Sequence, residues 1–90
     1  MSNLSHLFTK GSIFHSYRLK NIQMKNIGTK KYSYIMNWSC KSNNNIPVSE
    51  FIDILDCHIS FCVPKQCFNI MEYTNDKRSI QIYAVSTMLD

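Results

Sequence analysis

The sequence predicts an α+β fold: a mostly antiparallel sheet, made of an N-terminal hairpin and two or three C-terminal strands, packed on one amphipathic helix. Three observations carry this. Tyr32, Tyr34, Met36 and Trp38 alternate with Ser33, Ile35, Asn37 and Ser39, the period-2 pattern of a strand. Val48, Phe51, Ile52, Leu55 and Ile59 recur at helical spacing, with Glu50, Asp53 and Asp56 on the opposite side. Residues 67–73 and 79–86 then read as two strands separated by turn-forming Thr74-Asn75-Asp76-Lys77.

In chain order, residues 1–11 read as a loose N-terminal segment and residues 12–90 as a single small α+β domain. Leu4, Leu7 and Phe8 can form one amphipathic turn that Gly11 ends. From Ser12 to Lys25, Ile13, His15, Tyr17 and Leu19 share one parity and Ile22 and Met24 the other. Such a switch implies a bulge, a break or burial of both faces. Asn26-Ile27-Gly28-Thr29 is the expected turn, with Gly28 free to take positive φ. The alternating strand at 32–39 completes the hairpin.

Lys41 to Asn45 is a polar loop. Pro47 fits the first turn of a helix expected at about residues 47–58, because a missing N–H costs nothing there. The acids lie toward its start, where the macrodipole favours them. The helix must stop before Pro64, and Ile59-Ser60-Phe61-Cys62-Val63 already alternates like a strand. Val63 to Gln66 is a turn candidate, with Pro64 pre-setting its φ. In the last strand Ile80, Ile82 and Ala84 take one face, Tyr83 and Val85 the other.

Ninety residues can bury only a small core. Gly and Pro occur twice each and Ala once, while Asn, Ile, Lys, Tyr and Phe are plentiful. That usage suits an AT-rich genome, such as that of a virus, a protist or a yeast. No apolar run approaches the roughly 20 residues needed to span a bilayer. Residues 1–20 hold no apolar core of a secretory signal. Cys40, Cys57, Cys62 and Cys67 are therefore expected as free thiols in an intracellular protein, cytoplasmic ahead of mitochondrial.

Charge is the unusual feature. Residues 1–49 contain Lys10, Arg18, Lys20, Lys25, Lys30, Lys31 and Lys41 and no acid. Residues 50–90 contain six acids against Lys65, Lys77 and Arg78, so the halves stand at +7 and −3 within a chain of +4. A basic segment of this kind points to an anionic partner or a targeting segment, with a chance segregation that the fold mixes back together as the plain alternative; the strand pattern inside it favours the partner over targeting. The candidate contacts are Lys20, Lys25, Lys30, Lys31 and Lys41, with Tyr32 and Trp38 as stacking groups for unpaired bases. A competing reading makes the Tyr32–Trp38 face the core side of the sheet, and it carries more weight, because large aromatics are mostly buried.

Cys57, His58, Cys62 and Cys67 form a loose metal-ligand set, C-H-x3-C-x4-C. No second close pair completes a tetrahedral site, so free cysteines are the simpler reading. Cys57 and His58 are adjacent and cannot easily face each other for nucleophilic catalysis. The only glycines, Gly11 and Gly28, make no phosphate loop.

The expectation is therefore a non-enzymatic binding module, without cofactor. Its basic hairpin would meet nucleic acid or an acidic protein surface. The alternatives are a small interaction or accessory subunit binding through its helix face, and a zinc- or thiol-dependent protein. Strand edges would also permit a homodimer.

Overall fold

The structure, a computed structural model, describes residues 17–40, 46–62, 65–76 and 78–89, the side chains of 61 and 62 excepted. The 1–11 segment, the start of the first strand, the 41–45 loop with Lys41, Pro64 of the expected turn and Lys77 lie outside the described residues.

Five elements follow one another: β1 Tyr17–Gly28, β2 Lys31–Cys40, α1 Val48–Cys62, β3 Gln66–Asp76 and β4 Ser79–Met88. The strands form one sheet in the order β1-β2-β4-β3, every neighbour antiparallel. The α+β class and the order of hairpin, helix and C-terminal strands are those the sequence predicts, and the C-terminal strands among the described residues are two. The strand order is new information: α1 carries the chain to the far edge, and β4 returns between β3 and β2.

One face of the sheet packs on α1. Phe51, Leu55 and Ile59, the i, i+4, i+8 positions of the helix, are buried against Tyr34, Met36, Trp38, Ile80, Ile82 and Ala84. The strand residues contribute because they share one parity across paired strands: Trp38 opposes Ile80, Met36 opposes Ile82 and Tyr34 opposes Ala84. Aromatic contacts fix the helix end. The Phe51 ring stacks on Tyr17 at 4.0 Å and meets the edge of Trp38 at 5.0 Å. The Tyr17 hydroxyl donates to the Ile46 carbonyl at 2.5 Å, tying the helix entry to β1. Tyr34 shares a hydrogen bond of 3.2 Å with Ser86, which satisfies both buried hydroxyls.

The parity switch in the first strand is a bulge. The β1–β2 register shifts between Leu19 and Asn21, so Tyr17, Leu19, Ile22 and Met24 all point to the helix side despite their mixed parity.

Four boundaries differ from the expectation. The hairpin turn is at Thr29 and Lys30, not at 26–29, and the positive φ belongs to Lys30 (58°) rather than Gly28. A second register shift between Asn26 and Gly28 moves the reversal along the chain. The helix runs on to Cys62 instead of turning to strand at Ile59, because Ile59 continues the buried stripe one turn beyond Leu55. The third strand extends to Asp76, since Thr74, Asn75 and Asp76 pair with Gln81, Ile80 and Ser79 instead of turning. The last strand likewise reaches Met88. Pro47 stands just before the helix, and its carbonyl accepts the first helical bond from Phe51 N–H at 3.0 Å.

Gln66 is an exception on the helix-covered face. It is 6 % exposed, and neither its amide nitrogen nor its amide oxygen has a hydrogen-bond partner among the described residues. Such groups cost stability because they lose water without replacement.

Candidate functional site

No described element packs on the opposite face of the sheet, and its residues are of another kind. Reading the register across β1, β2, β4 and β3 gives five rows on this uncovered face, the last being Gly28–Lys31–Thr87–Cys67. The other four are Arg18–Ser39–Ser79–Asp76, Asn21–Asn37–Gln81–Thr74, Gln23–Ile35–Tyr83–Glu72 and Lys25–Ser33–Val85–Asn69. Directly opposed residues share a face, so these side chains lie together.

The second row is linked by side-chain amides. Asn37 Nδ2 donates to Asn21 Oδ1 at 2.8 Å, and Gln81 Nε2 donates to Asn37 Oδ1 at 3.1 Å. This ladder crosses β1, β2 and β4. Beside it lies a shallow depression bordered by Lys20, Ser39, Thr74 and Asp76. Lys20 is the extra residue of the bulge, and the bulge is what turns both Lys20 and Asn21 toward this face.

The predicted contact residues divide cleanly. Lys20, Lys25, Lys30 and Lys31 are all exposed on the β1–β2 hairpin, together with Arg18. Arg18 and Lys25 are seven residues apart, roughly 20 Å at the usual rise of a strand. Lys31 folds its methylene stem over Gly28: a Cβ at that glycine would stand 3.6 Å from Lys31 Cδ. Lys30 occupies the turn. Residues 17–40 thus carry five cations and no acid.

Trp38 lies elsewhere. It is 2 % exposed within the core, where its ring meets Phe51, and offers no free face on which a base could stack. Tyr32 is on the same helix-facing side, half-buried against the core. The aromatic on the uncovered face is Tyr83, half-buried in the row that holds Gln23, Ile35 and Glu72. Its parity, opposite to that of Ile80, Ile82 and Ala84, is the sequence signal for that position.

The side chain of Cys62 lies outside the described residues, and the other two cysteines of the candidate metal set are not brought together. Cys57 is exposed on α1, whereas Cys67 is exposed on the far face of the sheet, 3.7 Å from Asn69 Nδ2. His58 is half-buried on α1. Among the described residues, no three of His, Cys, Asp and Glu are placed to hold a metal ion.

A second group of acids lies where α1 meets the β3 edge. Asp53 and Asp56 of α1 and Glu72 of β3 border a groove of about 490 Å³ whose apolar wall is Ile52, Ile70, Met71 and Tyr73. Asp56 is only partly solvated there: its Oδ1 is buried without a hydrogen-bond partner among the described residues. The acidic side of the helix is therefore not a uniformly solvated face.

No helix among the described residues is long and apolar enough to cross a membrane. No family model matches the chain, and no curated protein or solved structure is similar enough to be matched to it.

Proposed function

We propose that the chain is a non-enzymatic binding module whose β1–β2 hairpin holds a polyanion, a single strand of nucleic acid foremost. The observation that supports this most is the run of Arg18, Lys20, Lys25, Lys30 and Lys31 along one hairpin without an intervening acid. Lysines strung along a strand can neutralise successive phosphates and release their counterions. The amide ladder next to them offers donors and acceptors that suit base edges, and Tyr83 offers the neighbouring aromatic surface. Lys41 belongs to the same basic segment of sequence and is included in the proposal on that ground alone.

The test is a titration of a labelled single-stranded oligonucleotide at several salt concentrations. Affinity is expected to fall steeply with salt. In a Lys20→Ala/Lys25→Ala/Lys31→Ala variant the slope of log K against log salt is expected to shrink by about 2, from roughly 0.7 for each phosphate left without its lysine. Absence of binding at about 50 mM salt, or an unchanged slope in the variant, rules the reading out. An acidic polypeptide such as polyglutamate, titrated in parallel, separates nucleic acid from a merely acidic partner.

A further inference from the structure

The sheet has two outer strands, β1 and β3, and they are opposites. β1 carries Arg18, Lys20 and Lys25 and no acid; β3 carries Glu72 and Asp76 and no Lys or Arg, although Lys65, Lys77 and Arg78 flank it in the sequence. Each also exposes large apolar side chains. Met24 (41 %) and Ile27 (47 %) lie on β1, Met71 (59 %) and Tyr73 (42 %) on β3. Apart from Leu89, these are the exposed large hydrophobics of the described residues. Outer strands of 12 and 11 residues are long, and long edges leave a row of backbone donors and acceptors open to pairing.

We infer that the β3 edge binds the β1 edge of a second copy of this chain, head to tail, extending one sheet across molecules. The direction of the strands allows it. Three successive antiparallel steps leave β1 and β3 running oppositely. A copy displaced sideways without turning over therefore sets its β1 antiparallel to the first copy's β3, with both helices on the same side.

The register then brings together what should meet. The rows that cross one molecule continue into the next, so Asp76 comes opposite Arg18, Glu72 opposite Gln23 with Lys25 diagonal to it, and Tyr73 opposite Ile22. On the helix side, Ile22 and Met24 of the incoming strand lie along Ile70 and Tyr73, the apolar wall of the groove beside α1. Pairing between like edges is opposed in both cases, β1 with β1 by its cations and β3 with β3 by its acids. Edge charges that block one pairing while permitting another are a usual device of specificity. An unlike contact of this kind does not close on itself and leads to chains or rings rather than a sealed dimer.

The test is sedimentation velocity on the full chain, freed of nucleic acid so that a bridging polyanion cannot mimic the contact. At low salt the average mass is expected to rise with concentration beyond that of a dimer, and to fall on adding salt. Arg18→Asp and Asp76→Arg are each expected to weaken association by roughly tenfold, because each sets like charges opposite one another. The chain carrying both changes is expected to associate as the original does. Glu72→Lys serves as an independent single variant, and circular dichroism checks that each remains folded. A monomer at every concentration overturns the inference. So does association that the single changes leave intact, or that the double change fails to restore. Loss of self-association with oligonucleotide binding retained would remove this inference and leave the proposed function standing.

Discussion

Asn37 and Trp38 are neighbours in the chain, and the sheet sends them to opposite surroundings. Trp38 is sealed between β2 and α1, while Asn37 holds the centre of an amide ladder on the other face. The same division runs through all four strands. The helix-covered face is made of Tyr34, Met36, Ile80, Ile82 and Ala84, which answer to packing. The uncovered face is made of cations on β1 and β2, amides, small hydroxyls and, on β3, the acids Glu72 and Asp76, with half-buried Ile35, Tyr83 and Val85 among them. A strand with one dry side needs only half its residues for stability, and the other half is free to serve a partner.

Substitutions on the two faces should therefore separate stability from binding. The largest effect is expected at Leu55, which is fully buried under the helix. Leu55→Ala should cost about 2–5 kcal/mol, a large share of the stability of so small a domain. Urea unfolding followed by the emission of Trp38, the sole tryptophan, reads it directly. Next comes Tyr34→Phe, which leaves the Ser86 hydroxyl buried without its partner and should cost about 1–3 kcal/mol.

Tyr34 also sets a pH dependence. Burial pushes its phenol above the ordinary value of 10.0, the Ser86 hydrogen bond pulls it back down, and Tyr32 adds to the rise. The unfolded chain thus ionises this tyrosine first. Its contribution to stability is complete below a pH of about 10 and is lost as the pH rises through the unfolded and then the folded value. Denaturation measured across that alkaline range should show the decline in the original chain and a smaller one in Tyr34→Phe.

The exception on the covered face gives a change of opposite sign. Gln66→Met removes two buried polar atoms that lack partners among the described residues. A gain of about 1 kcal/mol is expected in urea unfolding, and an equal loss would mean that the amide is bonded after all. The smallest effect belongs to Lys30, held at a φ of 58° that a side chain disfavours. Lys30→Gly should change stability by no more than about 1 kcal/mol, in the stabilising direction, while reducing the salt slope of polyanion binding by roughly 0.7.

Much of the fold is legible in the sequence, because its signals are local. The stripe Phe51–Leu55–Ile59 marks the helix, the alternation through Tyr34, Met36 and Trp38 marks the central strand, and the parity switch between Leu19 and Ile22 marks the bulge. What stays hidden depends on pairing between distant residues. Nothing near Thr74 says that it opposes Gln81, so local turn chemistry places the reversal too early. Nothing in the chain order says that β4 inserts between β2 and β3. The lysines of the site are legible as a run without acids. Their gathering beside Asn37 and Gln81 is not, because that row forms only when three strands align.

The most direct test of the basic hairpin as the binding surface is an amide chemical-shift titration of the full chain with a single-stranded oligonucleotide. Shifts are expected to concentrate on β1 and β2, at Lys20, Asn21, Lys25, Lys31 and Asn37, and to reach Gln81 and Tyr83 while leaving the middle of α1 unmoved. Shifts confined to α1 and β3, or none at low salt, would contradict it.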